Sequence, residues 1–165
     1  MKMADVIKTY KESVPAMRFI GKKYTDEDRV DGSFGAKWGE WFENNLFEAL
    51  EKLGSPDGLD NGHIGYMTCD ENDKFNYWIG RFTPANTTVP DGFGFLDFPV
   101  GELAVCHVYG KEPDIYCKEG MCCDKLKADG FDFDDNSCFE RYNCPRFTTP
   151  DGDGNVILDI CFFMK

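Results

Sequence analysis

The sequence predicts an α+β fold built from a duplicated strand-helix-strand-strand module with pseudo-two-fold symmetry. Two observations predict it. The order strand, helix, strand, strand can be read twice along the 165 residues, and the spacing between helix end and hairpin nearly repeats: thirteen residues separate Leu53 from Tyr66, and fourteen separate Ala128 from Tyr142. The length suits a single domain over 1–165, with a first repeat at about 6–83 and a second at about 95–165. Fifteen Phe, seven Tyr and three Trp supply enough apolar area for a packed core without cross-links. Such a module is expected to carry its helices on one face of antiparallel sheets and a ligand groove on the other.

The first strand is read at Val14 to Gly21, started by Pro15, with Val6 to Lys11 as an earlier extension. From Phe34 to Leu53 the residues Trp38, Trp41, Phe42, Leu46, Ala49, Leu50 and Leu53 recur at three- and four-residue intervals, which predicts one amphipathic helix with Ser33 as its cap and Gly54 as its stop. Trp38 and Trp41 are assigned to the core beneath it. Gly62 to Asp70 and Lys74 to Thr83 flank the turn residues Glu71-Asn72-Asp73 as a hairpin.

The second half opens with strands at Phe95 to Phe98 and Glu102 to Tyr109. A helix is expected over Asp114 to Ala128, with Pro113 in its first turn, weakened by Gly120 and stopped at Asp129-Gly130. A last hairpin pairs Cys138 to Cys144 with Val156 to Met164.

Eighteen Lys and Arg against 30 Asp and Glu leave a net charge of −12, which repels phosphate backbones and argues against direct nucleic-acid binding. No leader-like opening and no apolar run of membrane-spanning length is present, so a soluble, cytoplasmic protein without membrane association is expected. The eight cysteines include no Cys-x-x-Cys pair and read as small apolar residues rather than metal ligands. Asp151-Gly152-Asp153-Gly154-Asn155 begins like a calcium loop, but Val156 stands where the glycine belongs and Phe162 where the bidentate glutamate belongs. No metal or other cofactor is expected. His63 and His107 lack any nucleophile setting and are read as structural or surface residues.

Gly65-Tyr66 before a hairpin, Phe75-Asn76-Tyr77-Trp78-Ile79-Gly80, Phe98-Pro99-Val100-Gly101-Glu102-Leu103-Ala104-Val105 and Cys138-Phe139-Glu140-Arg141-Tyr142, in this order, resemble the GyrI-like domain, also found as the effector-binding half of multidrug-responsive transcription activators. The resemblance covers nearly the whole chain and implies a small-molecule-binding protein for cationic or amphipathic aromatic compounds, acting in sensing or sequestration. Residues 1–13 are too few for a DNA-binding domain, which implies a stand-alone form. The same resemblance implies two alternatives: a hydrolase that opens strained cyclopropane rings in genotoxic natural products, and a regulatory protein that binds gyrase.

In the family a strand glutamate in a Phe-Glu-x-Tyr motif faces the bound compound. Glu140 and Tyr142 match those two positions. Glu140 would hold a cation by charge or, as a catalytic residue, exchange protons with a substrate. Strand alternation puts Cys138, Glu140 and Tyr142 on one face and Phe139 and Arg141 on the other. With Phe139 under a helix, Glu140 faces the groove, and Arg141 is expected to reach solvent. Tyr66, Tyr77 and Trp78 complete the candidate ligand-binding residues. Alternation lets only one of Tyr77 and Trp78 line the groove; the resemblance favours Tyr77, with Trp78 kept as a candidate.

Overall fold

The computed structural model describes residues 3–165. Eight strands and three helices follow one another as β1 (Asp5–Val14), β2 (Met17–Thr25), α1 (Gly35–Glu43), α2 (Leu46–Glu51), β3 (His63–Cys69), β4 (Phe75–Pro84), β5 (Gly94–Phe98), β6 (Gly101–Gly110), α3 (Glu119–Ala128), β7 (Cys138–Tyr142) and β8 (Val156–Phe163). The strands form one antiparallel sheet in the order β1-β6-β8-β7-β3-β4-β2-β5. The α+β class expected from the sequence is therefore present, in a single eight-stranded sheet.

Three local differences from the sequence reading have identifiable causes. The first apolar stretch is the second of two strands, because Pro15 and Ala16 lie between β1 and β2 and send them to different neighbours, β6 and β4. The long first helix is split at Asn45, whose φ of 55° lies in the left-handed region that asparagine tolerates better than most residues. The break turns the second segment so that Phe47 and Leu50 are buried. The third helix starts at Glu119 rather than near Pro113. Residues 111–116 close turns of their own, and Cys117, with φ of 60°, interrupts the helical path before α3.

The helices cover the two ends of one sheet face. Under α1 and α2 lie Ile20, Tyr77 and Ile79, packed with Trp41, Phe47 and Leu50. Under α3 lie Ala104, Cys106, Val108, Leu158 and Ile160, packed with Cys122 and Leu126. The central strands β3 and β7 run between these two covered regions.

The opposite face folds onto itself. Phe98 of β5 stacks on Phe163 of β8 with ring centroids 4.6 Å apart, although the two strands are five places apart in the sheet. Phe19, Tyr66, Phe82, Val105 and Phe139 fill the space enclosed. A sheet curled this tightly leaves no open groove on that face. The expectation of a groove opposite the helices is thus corrected: the open space lies on the helix side, between the two helical regions and above β3 and β7. Phe139 packs in the curled core and not under a helix.

Arg141 also departs from expectation. Its side chain is fully buried, with Nε donating to Asp159 at 2.7 Å and the terminal nitrogens donating to Glu12 at 3.1 and 3.0 Å. Arg146 donates to the same Asp159 at 2.7 Å and to Asp60 at 2.7 Å. A buried guanidinium persists here because carboxylates on β1 and β8 meet its donors.

Candidate functional site

Glu140 sits at the centre of the sheet, on β7, opposite Gly65 of β3. Two residues along the neighbouring β4 from the position paired with Gly65, Tyr77 reaches back diagonally, and its hydroxyl donates to Glu140 Oε1. Gly65 makes this meeting possible, since a β-carbon at that position would occupy the space of both the Tyr77 hydroxyl and the Glu140 carboxylate. The Trp38 indole of α1 donates in turn to the Tyr77 oxygen at 2.9 Å, so a helix, a strand and the central carboxylate form one hydrogen-bonded chain.

The carboxylate faces a cavity of about 750 Å³ between α1 and the segment leading into α3. Its walls are mostly rings. Phe34 stacks on Tyr77 with centroids 4.4 Å apart and planes within 3°. Trp38 meets Tyr142 edge-on at 5.0 Å, and Tyr142 meets Phe147 edge-on at 4.7 Å. Phe42, 58% exposed, and Tyr116 also line the space.

Burial pushes the Glu140 carboxyl up from 4.5 to about 7, and the nearby Glu119 carboxylate acts in the same direction. Hydrogen bonding from Tyr77, and to a smaller extent from Tyr142, opposes the rise by favouring the charged form. The Tyr77 and Tyr142 hydroxyls are themselves held well above the ordinary phenol value by burial and by the charge of Glu140, so both remain proton donors across the neutral range. On the cavity wall, His63 stacks on Phe47 at 3.7 Å and accepts from Arg81 at 3.1 Å. Burial and the Arg81 charge lower this imidazole to about 4, which keeps it neutral.

The structure brings Glu140, Tyr77 and Tyr142 together and separates Tyr66 and Trp78 from them. Tyr66 and Trp78 project to the curled face, where both pack beside Phe19. Of the adjacent pair, Tyr77 faces the cavity and Trp78 the curled core. Trp38, assigned to the core from its helical spacing, is instead a cavity wall and the donor to Tyr77; Trp41 is the core residue of that pair. Phe34, Tyr116, Phe147 and Glu119 carried no sequence signal, because they reach the cavity from loops and helix starts whose placement depends on tertiary packing. Of the dipeptide Gly65-Tyr66, the tyrosine named as a candidate lies in the curled core, and the glycine is the residue that adjoins Glu140 and Tyr77.

The chain matches no protein-family profile and no curated protein sequence. Solved structures do match over nearly its full length. SAV2435 bound to tetraphenylphosphonium is similar with a TM-score of 0.70 at 13% identity, covering 96% of this chain and 94% of that one. The C-terminal domain of EcmrR is similar with a TM-score of 0.56 at 13% identity, covering 96% and 97%. A hydrolase encoded by lin2189 from Listeria innocua is similar with a TM-score of 0.55 at 12% identity, covering 96% and 92%. At these identities the likeness is one of fold alone.

Proposed function

We propose that the chain binds amphipathic aromatic cations in the ring-lined cavity, with Glu140 as the charge-selecting group and Tyr77 and Tyr142 as its hydrogen-bonding walls. The observation that carries this reading is a buried carboxylate, 8% exposed, at the base of an aromatic cavity, with no cationic side chain bonded to it among the described residues. A cationic ligand would supply the missing countercharge, and the rings would add cation–π contact and apolar burial. Tetraphenylphosphonium, the compound bound to SAV2435, is of this chemical class. The mirrored strand orders β6-β8-β7 and β2-β4-β3 support the further reading that the molecule consists of two repeats related by a pseudo-two-fold axis between β7 and β3.

The test is a fluorescence titration of cationic dyes against the wild type and Glu140→Gln. The substitution removes the charge and keeps the shape, so a loss of about tenfold or more in affinity for cations, with neutral dyes of the same ring system little changed, is the expected result. Equal binding by both proteins would sink the reading.

One observation favours hydrolysis as a second reading. A carboxyl raised to about 7 by burial, and accepting a hydrogen bond from the Tyr77 hydroxyl, has the properties of a general acid or base. The similar fold of the lin2189 hydrolase is compatible with it. Incubation with a cyclopropane-containing electrophile, followed by mass spectrometry for addition of water, is the check; a rate no higher than that of Glu140→Gln counts against turnover.

A further inference from the structure

His63 lies on the cavity floor beside the carboxylate. It precedes Gly65 by two residues on β3, and Gly65 is paired with Glu140, so the imidazole shares a sheet face with the carboxylate and stands about 7 Å along the strand from it. Its partner across the strand pair is Tyr142, which follows Glu140 on the same face of β7.

The imidazole is held on several sides. Phe47 stacks on it with centroids 3.7 Å apart and planes within 18°, and Phe42 meets it edge-on at 5.9 Å. Nδ1 lies 3.1 Å from a terminal nitrogen of Arg81. A guanidinium has only donors, so Nδ1 must present its lone pair, and the single proton of the neutral ring must sit on Nε2. Burial and the Arg81 charge, which lower the ring to about 4, keep it in that neutral form. The same charge polarises the imidazole and strengthens Nε2–H as a donor.

Nε2 has no hydrogen-bond partner among the described residues, whereas every buried side-chain nitrogen and oxygen among them has one. Nε2 is therefore not sealed inside the protein, and the open space that His63 borders is the cavity. The floor thus presents two groups of opposite kind: a carboxylate that attracts positive charge, and a neutral N–H whose tautomer is locked so that it donates and does not accept.

We infer that the cavity prefers aromatic cations that also carry a hydrogen-bond acceptor, a carbonyl or ether oxygen, about one benzene ring away from the positive charge, with the cation on Glu140 and the acceptor on the Nε2 proton of His63. This rests on the cation-binding reading above. A ligand without the acceptor removes water from the N–H and returns nothing to it, whereas a para-substituted ring bridges the span between the two groups.

The experiment compares para-benzoylphenyl-trimethylammonium with the alkene in which its carbonyl oxygen is a methylene carbon, a pair alike in shape and charge. Isothermal titration of the wild type is expected to show the ketone bound about fivefold or more tightly than the alkene. His63→Phe, which keeps a ring against Phe47 and removes the donor, should bring the ratio close to one. Arg81→Met, which frees Nδ1 to take the proton, should reduce it. Long-range proton–nitrogen NMR correlation of the wild type gives a readout that does not depend on the variants folding, and His107 is the only other histidine to assign. At neutral pH His63 should show a protonated Nε2 and a bare Nδ1, and the ketone should shift Nε2 more than the alkene does. A bare Nε2, a wild-type ratio near one, or a ratio kept by His63→Phe overturns the inference and leaves the cation reading standing. If neither compound binds the wild type, the inference and the reading beneath it fall together.

Discussion

Burying a carboxylate without a salt-bridge partner costs free energy, and Glu140 meets that cost partly by accepting a hydrogen bond from Tyr77 and partly by taking up a proton more readily than an exposed glutamate. The sign of the pH dependence follows. Because the folded carboxyl is raised from 4.5 to about 7, the folded chain holds more protons than the unfolded chain between those values. The contribution of Glu140 to stability is therefore fully present below pH 4.5 and is lost as pH rises through about 7, a change of roughly 3 kcal/mol from this group alone. Cation binding runs the other way, since it requires the charged form. The affinity for a permanent cation such as tetraphenylphosphonium should rise between pH 5 and 8 and level off above it, and Glu140→Gln should abolish this rise. Titrations at constant ionic strength check both signs. The residues that set this chemistry were unevenly legible. Glu140 and Tyr142 stood in a recognisable strand motif, whereas the assignment of Tyr77 over Trp78 needed the knowledge of which sheet face stays open.

At the scale of elements, the site depends on a register. The pairing of β3 with β7 sets Gly65 against Glu140, and the pairing of β3 with β4 brings Tyr77 to the same place from the other side. A one-residue slip of β3 would put Ile64 or Tyr66 there and fill the space where phenol and carboxylate meet. Gly65→Ala tests this dependence. The added methyl group must displace the Tyr77 hydroxyl, which Phe34 stacking and the Trp38 hydrogen bond hold in place. The expected outcome is a folded protein, destabilised by roughly 1–3 kcal/mol in urea unfolding, with weakened cation binding and a shifted pH midpoint for that binding. Unchanged binding would mean that the Tyr77–Glu140 contact does not position the carboxylate. The elements themselves were mostly legible: hydrophobic periodicity and turn residues located both hairpins and the ring-rich helical region. The positions of the helix breaks were not, because Asn45 and Cys117 adopt left-handed backbone in response to packing that periodicity does not report.

Over the whole molecule, the two faces of the sheet do different work. The helix side leaves a cavity open at its centre, and the curled side is closed by rings and by the ionic cluster of Arg141, Asp159, Glu12, Arg146 and Asp60. Which face would close could not be read from strand alternation, which orders side chains into two sets without saying which set meets the helices. The cluster ties β1, β7, β8 and the segment before β3 together behind Glu140, so it fixes the strand that carries the carboxylate from the side a ligand does not reach. Truncating one member leaves buried charge unpaired, and Arg141→Met is accordingly expected to destabilise the fold by roughly 3–5 kcal/mol. Asp159→Leu should cost a similar amount, and the double variant less than the sum, because each single change leaves without its partner a charge that the other change removes. Urea unfolding of the three variants measures this coupling. Where Arg141→Met remains folded, its affinity for cations should fall less than that of Glu140→Gln, since the guanidinium points into the curled core and the carboxylate into the cavity. A larger loss of binding from Arg141→Met than from Glu140→Gln would show that the cluster, rather than the cavity wall, determines where the ligand's charge is held.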